Sequence, residues 1–377
     1  MKYKLKDLVT IKYGKNQKKV EDNLNGKIPI LGTGGIIGYS KEFLYDKPSV
    51  LIGRKGTIDK IKFVDYPFWT IDTLFYTEIN EKLILPQYLY YKLLGINFNN
   101  LNEGTTIPSL RTQTLYEIEL DVDEMDIQRK VVKLLSLIDK KIKQNTRTNN
   151  NLYELSRIIF KKLYRKSENW KECKIQDIEL YITDYVANGS FKSLADNVKI
   201  YDTKDYALFV RNTDLKVNFS QERKYVDEHS YNFLSKSKLF GRELIISNVG
   251  DVGSIYLCPS YKMPMTLGNN VIMINSKGLK VNYNYYLYYF FLSTEGQYLI
   301  DGITGGSAQP KFNKTDFRNS IIKIPSDDEI IEFNKKIIPL YDIIEKNIME
   351  NETLSILRDT LLPKLMKSKI DLDKIEI

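Results

Sequence analysis

A chain of 377 residues exceeds one ordinary hydrophobic core, and a hydrophobic share of 42% supports folded structure in two or more domains. Lysine and arginine number 56 against 48 aspartates and glutamates, a formal charge of +8 that favours a polyanionic partner. Two cysteines, Cys173 and Cys258, make no disulfide framework. With no apolar run of about 18 residues and no apolar signal core in "MKYKLKDL", a cytoplasmic protein without a membrane partner is expected.

The elements appear twice along the chain, the second set about two hundred residues after the first. The first copy opens with Lys12, Lys15, Lys18 and Lys19, a positive stretch on a loop, which either contacts phosphate or is simply solvated. "SVLIG" (49–53) is a buried strand ending in "GRKGT", which sets Arg54 and Lys55 between glycines. "PQYLYYKLL" (86–94) is a short helix started by Pro86. The loop "LNEGTTIPSLRT" (101–112), with Arg111, feeds the apolar strand "YEIELDV".

From Asp126 to Tyr164 there is neither glycine nor proline, which allows one helix of roughly 58 Å at 1.5 Å per residue. Its apolar positions Ile127, Val131, Leu134, Ile138, Ile142, Leu152, Leu155, Ile159 and Leu163 step by threes and fours, forming a seam that passes through Asn145 and Asn149. A domain of about 120 residues has a radius of gyration near 14 Å, so much of this seam needs a partner outside its own domain.

The second copy repeats the plan. "LIISNVGDVGSI" (244–255) matches "VLIGRKGTIDKI" (50–61), with Gly250 over Gly56, and "NYYLYYFFL" (284–292) matches 86–94. "GITGGSAQPKFN" (302–313) matches the loop at 101–112, with Gly306 over Gly104 and Pro310 over Pro108. The strand "NSIIKIP" then precedes a second seam of Ile337, Ile344, Ile348, Leu354, Leu357, Leu361 and Leu365, with Asn351 over Asn149. Pro339 and Pro363 predict kinks there. The fold class expected is α+β: two α/β domains alternating with two long helices that pair as an antiparallel intramolecular coiled coil, pseudo-two-fold. The boundaries expected are 1–122, 123–166, 167–324 and 325–377.

Several chemistries lack their residues. His229 is the single histidine, too few for a zinc finger, an HNH nuclease or a Ser-His-Asp enzyme, and it is read as structural. There is no G-x-x-x-x-G-K-[ST] phosphate loop and no Asn-Pro-Pro-aromatic segment. The acidic clusters "DVDEMD" (121–126) and "SDDEI" (326–330) sit where helices begin, which the helix dipole explains without a metal. No catalytic or metal residue is therefore expected. What remains is recognition: two diverged modules on paired helices suit a bipartite, asymmetric DNA target with a spacer set by the helices.

The residues that would read DNA are Arg54 and Lys55 in "GRKGT", Arg211 and Asn212 in "VRNTD", Asn248 in "SNVGD", Lys311 and Asn313 in the second repeated loop, and Arg111 near the first. Arginine suits guanine and asparagine suits adenine by bidentate geometry, while lysine and arginine serve phosphate. The same glycines could equally serve only tight strand turns.

The whole chain resembles the DNA specificity (S) subunit of type I restriction-modification systems. The most specific segment is "LSILRDTLLPKLMKSKIDL" (354–372), whose Leu-Leu-Pro-Lys-Leu-Met run resembles the family's C-terminal helix, with "NLYELSRIIFKKLY" (151–164) as its counterpart. Gln128 and Asp139 resemble the family's Glu-Gln and later Asp. Ile127 stands where the Glu is usual, and in the second copy Ile330 and Ile331 replace the pair while Asp342 keeps the last position. The resemblance implies a non-catalytic subunit that binds double-stranded DNA, two adenine DNA methyltransferase subunits and restriction subunits. S-adenosylmethionine, ATP and Mg2+ would belong to those partners. A similar subunit of a related methyltransferase-nuclease system, a self-contained DNA-modifying enzyme and a protein-only coiled-coil scaffold are the alternatives.

Overall fold

Residues 1–219, 222–276 and 278–366 are described by the structure, a computed structural model. The part of the "LSILRDTLLPKLMKSKIDL" segment beyond Met366 lies outside the described residues. Contacts divide the chain into two units: residues 1–144 together with the chain from Glu350 onward, and residues 145–349. Each unit holds one copy of the repeat and one half of each long helix.

The first unit contains β1 (Lys2–Lys4), β2 (Val9–Tyr13), β3 (Ile28–Gly32), β4 (Gly35–Ser40), β5 (Ser49–Gly53), β6 (Lys62–Val64), β7 (Trp69–Thr70), β8 (Leu74–Ile79) and β9 (Glu119–Asp121). Strands β2-β8-β5-β6 form one sheet and β4-β3-β7 another, with β3 and β7 parallel. β5 lies inside its sheet and is buried at every position, which is why "SVLIG" reads as a continuous apolar run rather than an alternation. Antiparallel β1 and β9 tie the first residues to the exit strand, which is shorter than "YEIELDV" because Tyr116 still belongs to the helix Thr112–Tyr116. The core joins Val50, Ile52 and Phe75 to Tyr88, Leu89 and Tyr91 of the helix Pro86–Leu94, and to four residues of the long helices, Val131, Leu135, Leu362 and Leu365.

The second unit contains β10 (Lys171–Lys174), β11 (Tyr181–Asp184), β12 (Ile200–Tyr201), β13 (Ala207–Val210), β14 (Lys224–Val226), β15 (Lys238–Leu239), β16 (Leu244–Ser247), β17 (Ile255–Leu257), β18 (Met265–Leu267), β19 (Val271–Asn275) and β20 (Ile321–Ile324). The sheet β11-β19-β16-β17 matches β2-β8-β5-β6, and β14-β13-β18 matches β4-β3-β7, its parallel pair included. The second copy adds β12 and β15 at the edges of that sheet and the helices Phe191–Asn197 and Glu228–Phe233. The clasp of β10 with β20 repeats that of β1 with β9.

The central helix spans Met125–Tyr164 and the C-terminal helix Asp327–Met366, 40 residues each. The C-terminal helix continues through Pro339 and Pro363, so neither proline ends it. Both prolines are solvent-exposed, and the flanking Ile337, Tyr341 and Leu365 are anchored in core, which offsets the lost backbone donors. The helices pair antiparallel in each unit. In the first, Asp139 meets Arg358 at 3.1 Å and Lys141 meets Glu350 at 3.3 Å. In the second, Asn149 Nδ2 donates to the Ile344 carbonyl at 3.2 Å, Asn347 donates to Asn149 Oδ1 at 2.8 Å, and Phe160 packs edge-on against Phe333.

Among the seam residues, Ile138, Asn149 and Ile344 are buried, while Leu134, Ile142, Leu152, Ile348, Asn351, Leu354 and Leu361 are half-buried. Three positions turn outward instead: Ile127 is 38%, Leu155 43% and Leu357 45% exposed. After Leu152 the buried line steps by four to Ser156 and Phe160, because 3.6 residues per turn carry a three-residue step off the contact face.

Candidate nucleic-acid interface

At the end of β5 the chain turns through Gly56, whose φ of 83° is a left-handed conformation that suits glycine. Its N–H donates to the Pro108 carbonyl at 2.9 Å, and the Leu110 N–H donates to the Arg54 carbonyl at 2.9 Å. The second unit repeats the arrangement at the end of β16. Gly250, at φ 80°, donates to the Pro310 carbonyl at 3.0 Å, and the Phe312 N–H donates to the Asn248 carbonyl at 3.1 Å. Leu110 and Phe312 are buried and anchor their loops. The duplicated loop is thus one half of a two-stranded clasp, and the strand turn of its own copy is the other half. Lys55 lies opposite Ser109 in one clasp, and Val249 lies opposite Lys311 in the other.

The clasp decides what each candidate side chain can present. Lys55 and Lys311 are exposed, and so is Arg111, 3.1 Å from Glu103. Arg54 is more confined. Its guanidinium lies 5.5 Å from the Tyr13 ring centroid and 3.7 Å from Asp72, and its buried Nε has no hydrogen-bond partner among the described residues. Lys12 pairs with Glu78 at 3.7 Å. The loop after β2 is held by the Lys15 N–H on the Thr70 carbonyl, at 2.8 Å, and by the Trp69 indole on the Lys15 carbonyl, at 2.9 Å.

In the second unit several candidates also shape the backbone. Arg211 donates through Nε and Nη2 to buried Asp214 at 2.9 and 2.6 Å, and that hydrogen bonding holds the guanidinium above its ordinary pKa. Asn212 opens the short helix Asn212–Lys216, and its buried Oδ1 has no hydrogen-bond partner among the described residues. Asn248 turns its amide toward the Phe312 carbonyl at 3.4 Å. Asn313 caps the helix Lys314–Asn319, accepting from the Asp316 N–H at 2.8 Å.

The residues linked to the family likeness take specific places. Gln128, fully buried, accepts the Leu85 N–H at 2.8 Å and donates to the carbonyls of Leu83 and Asp123 at 3.1 and 2.8 Å. Ile330 stands at the corresponding turn of the C-terminal helix in the apolar core, and there Asn334 takes up a carbonyl contact, to Asn282 at 2.7 Å. Asp139 accepts the Tyr91 hydroxyl at 2.7 Å, whereas Tyr289, the repeat partner of Tyr91, meets the Tyr341 hydroxyl at 2.8 Å. The structural counterpart of Asp139 is therefore Tyr341, one residue before Asp342, and Asp342 pairs with Arg242 at 2.6 Å. His229 is solvent-exposed, 3.4 Å from Asn197 Oδ1.

One element went unread in the sequence. Gly32 and Thr33, which open the β3–β4 turn, follow Leu31 as Arg211 and Asn212 follow Val210. In each unit the strand's last apolar carbonyl accepts a matching N–H, Leu31 from Ile71 at 3.1 Å and Val210 from Gly268 at 2.7 Å. The signal was "TGGII", where glycines meet apolar residues outside a core pattern.

The family model described as type I restriction modification DNA specificity domain matches residues 1–154 and 167–357, once per copy of the repeat. The type I restriction enzyme MjaIX specificity subunit of Methanocaldococcus jannaschii is 23% identical over 350 residues, covering 88% of this chain and 80% of that protein. The HindI specificity subunit of Haemophilus influenzae is 20% identical, covering 78% and 79%. The crystal structure of the S subunit from M. genitalium shares the fold at a TM-score of 0.62, with 16% identity over 97% of this chain and 95% of that one. Two family matches laid over two copies of one clasp place this chain in the type I restriction-modification DNA specificity family, as a specificity subunit that recognises DNA sequence.

Proposed function

We propose that the chain reads a bipartite, asymmetric DNA target, with residues 1–122 reading one half-site and 167–324 the other. The observation that carries this reading is the pair of clasps: one backbone hydrogen-bond pattern, repeated, with different side chains on it. A shared backbone docks two modules alike on duplex DNA, and different side chains give the two half-sites different sequences. Lys55, Lys311 and Arg111 supply phosphate contact at the clasps. Asn212, Asn248 and Asn313, with Arg54 and Arg211, lie beneath or beside them as base-edge or positioning groups.

The long helices set the unread spacer and dock two adenine DNA methyltransferase subunits, with restriction subunits joining the full assembly. S-adenosylmethionine, ATP and Mg2+ act on those partners, and no chemical step is assigned to this chain. The curated relatives named as restriction-enzyme specificity subunits support this division of labour. The test is a methylation map of cells expressing the chain with a cognate methyltransferase. A split motif with two unlike halves is expected. A continuous or palindromic motif would overturn the reading, as would methylation or cleavage by the purified chain alone.

A further inference from the structure

We propose that the hairpin formed by β3 and β4 is a base-reading arm of the first unit, entering the major groove and setting Ile36 against the 5-methyl group of a thymine. The proposal rests on the DNA-reading function above and deepens it by naming a residue and the base feature it recognises.

Position comes first. The hairpin turn occupies the place that Arg211 and Asn212 occupy in the second unit, yet it offers no long polar side chain. It shares one rim with the clasp: the Thr70 carbonyl accepts from Lys15, the Leu31 carbonyl from Ile71, and the Thr73 carbonyl from Arg54. Lys15 and Lys55 therefore lie exposed on that rim, cations suited to the phosphates that line a groove.

Exposure comes second. Residues 21–27 cover the outer edge of β4 at Tyr39 and Ser40, yet Ile36 is 54% and Ile37 48% exposed, and exposed apolar residues on an edge strand are an aggregation hazard that folded chains usually blunt with charge. Ile37 lies over Gly32, its Cγ2 3.2 Å from where a β-carbon would stand, so it closes the hairpin. Ile36, paired with Leu31 across the hairpin, presents the more exposed side chain of the two isoleucines. Gly34 and Gly35 leave open space around the tip, which lets backbone approach a base edge closely.

Rigidity comes third. The Lys62 ammonium donates to the carbonyls of Gly32 and Thr33 at 3.2 and 2.9 Å, and burial lowers its pKa from the ordinary lysine value. A clipped two-stranded ribbon is an object the major groove admits, and the apolar feature displayed there is the thymine methyl.

The experiment uses the full chain assembled with its methyltransferase subunits. A randomised duplex pool first identifies the bound sequence, and each thymine of the two half-sites is then replaced by uracil, which lacks the methyl. One substitution in the half-site read by the first unit should weaken binding about fourfold, the scale of one buried methyl group. Ile36→Ala should weaken the thymine duplex by a similar factor and should not distinguish uracil from thymine there. A sequence-specific complex in which Ile36→Ala keeps the wild-type response, or in which no thymine of that half-site responds, overturns this proposal alone. Selection that yields no preferred sequence overturns the DNA-reading assignment itself, and this proposal with it.

Discussion

A lysine and an arginine adjacent in sequence have different duties here. Lys55 projects from the clasp into solvent, while Arg54 lies against Tyr13 with its side chain 22% exposed. Lys55→Ala should therefore lower DNA affinity and reduce the slope of log affinity against log salt by about one, with the melting temperature unchanged. Arg54→Ala should cost about 1 kcal/mol of stability through the lost cation–π contact. Fluorescence anisotropy across a salt series and thermal unfolding separate the two. An unchanged slope for Lys55→Ala would remove it from the phosphate contacts. Gln128, legible in the sequence only as part of the family's Glu-Gln likeness, is buried by folding with three backbone partners. Losing such partners is expensive in a dry site, so its position follows from satisfying the backbone around the start of the helix Pro86–Leu94.

At the level of elements, the polar interruption of the helix seam is a matched pair. Asn149 accepts from Asn347 and donates to the Ile344 carbonyl, so one register satisfies both its amide groups. Asn149→Leu should destabilise the second unit by about 1–2 kcal/mol, because it strands the groups that Asn149 satisfied. Adding Asn347→Leu should recover most of that loss, since an apolar pair replaces a polar one. Urea unfolding of the two singles and the double measures the coupling, and strictly additive losses would show that the asparagines act independently. The seam also shows the limit of counting by threes and fours. Leu155 and Leu357 fit the spacing yet face solvent, because the steps on either side of each decide which residue meets the facing helix.

For the whole molecule, the spacer is the testable quantity. Inserting one seven-residue repeat into both long helices, after Gln144 and after Met349, adds about 10 Å at 1.5 Å per residue. At about 3.4 Å per base pair this should lengthen the unread spacer in the methylation motif by roughly three base pairs. A motif of unchanged spacing would show that something other than the helices sets the separation.

Much of the plan was legible in the chain because it depends on local chemistry and repetition. Apolar runs such as "SVLIG" declare buried strands, an absence of glycine and proline permits a 40-residue helix, and a plan written twice reveals its own alignment. The hydrogen-bonded partners of the repeated loops were not legible, since Gly56 and Pro108 are distant in sequence and meet only when sheet and exit strand are in place. The same holds for Arg211, whose charge is visible in sequence but whose guanidinium is taken up by Asp214. It holds too for the β3–β4 hairpin, whose isoleucines look like core until the sheet order leaves their strand at an edge. Residue type and spacing determined which elements form, while long-range packing decided which side chains remained free to meet DNA.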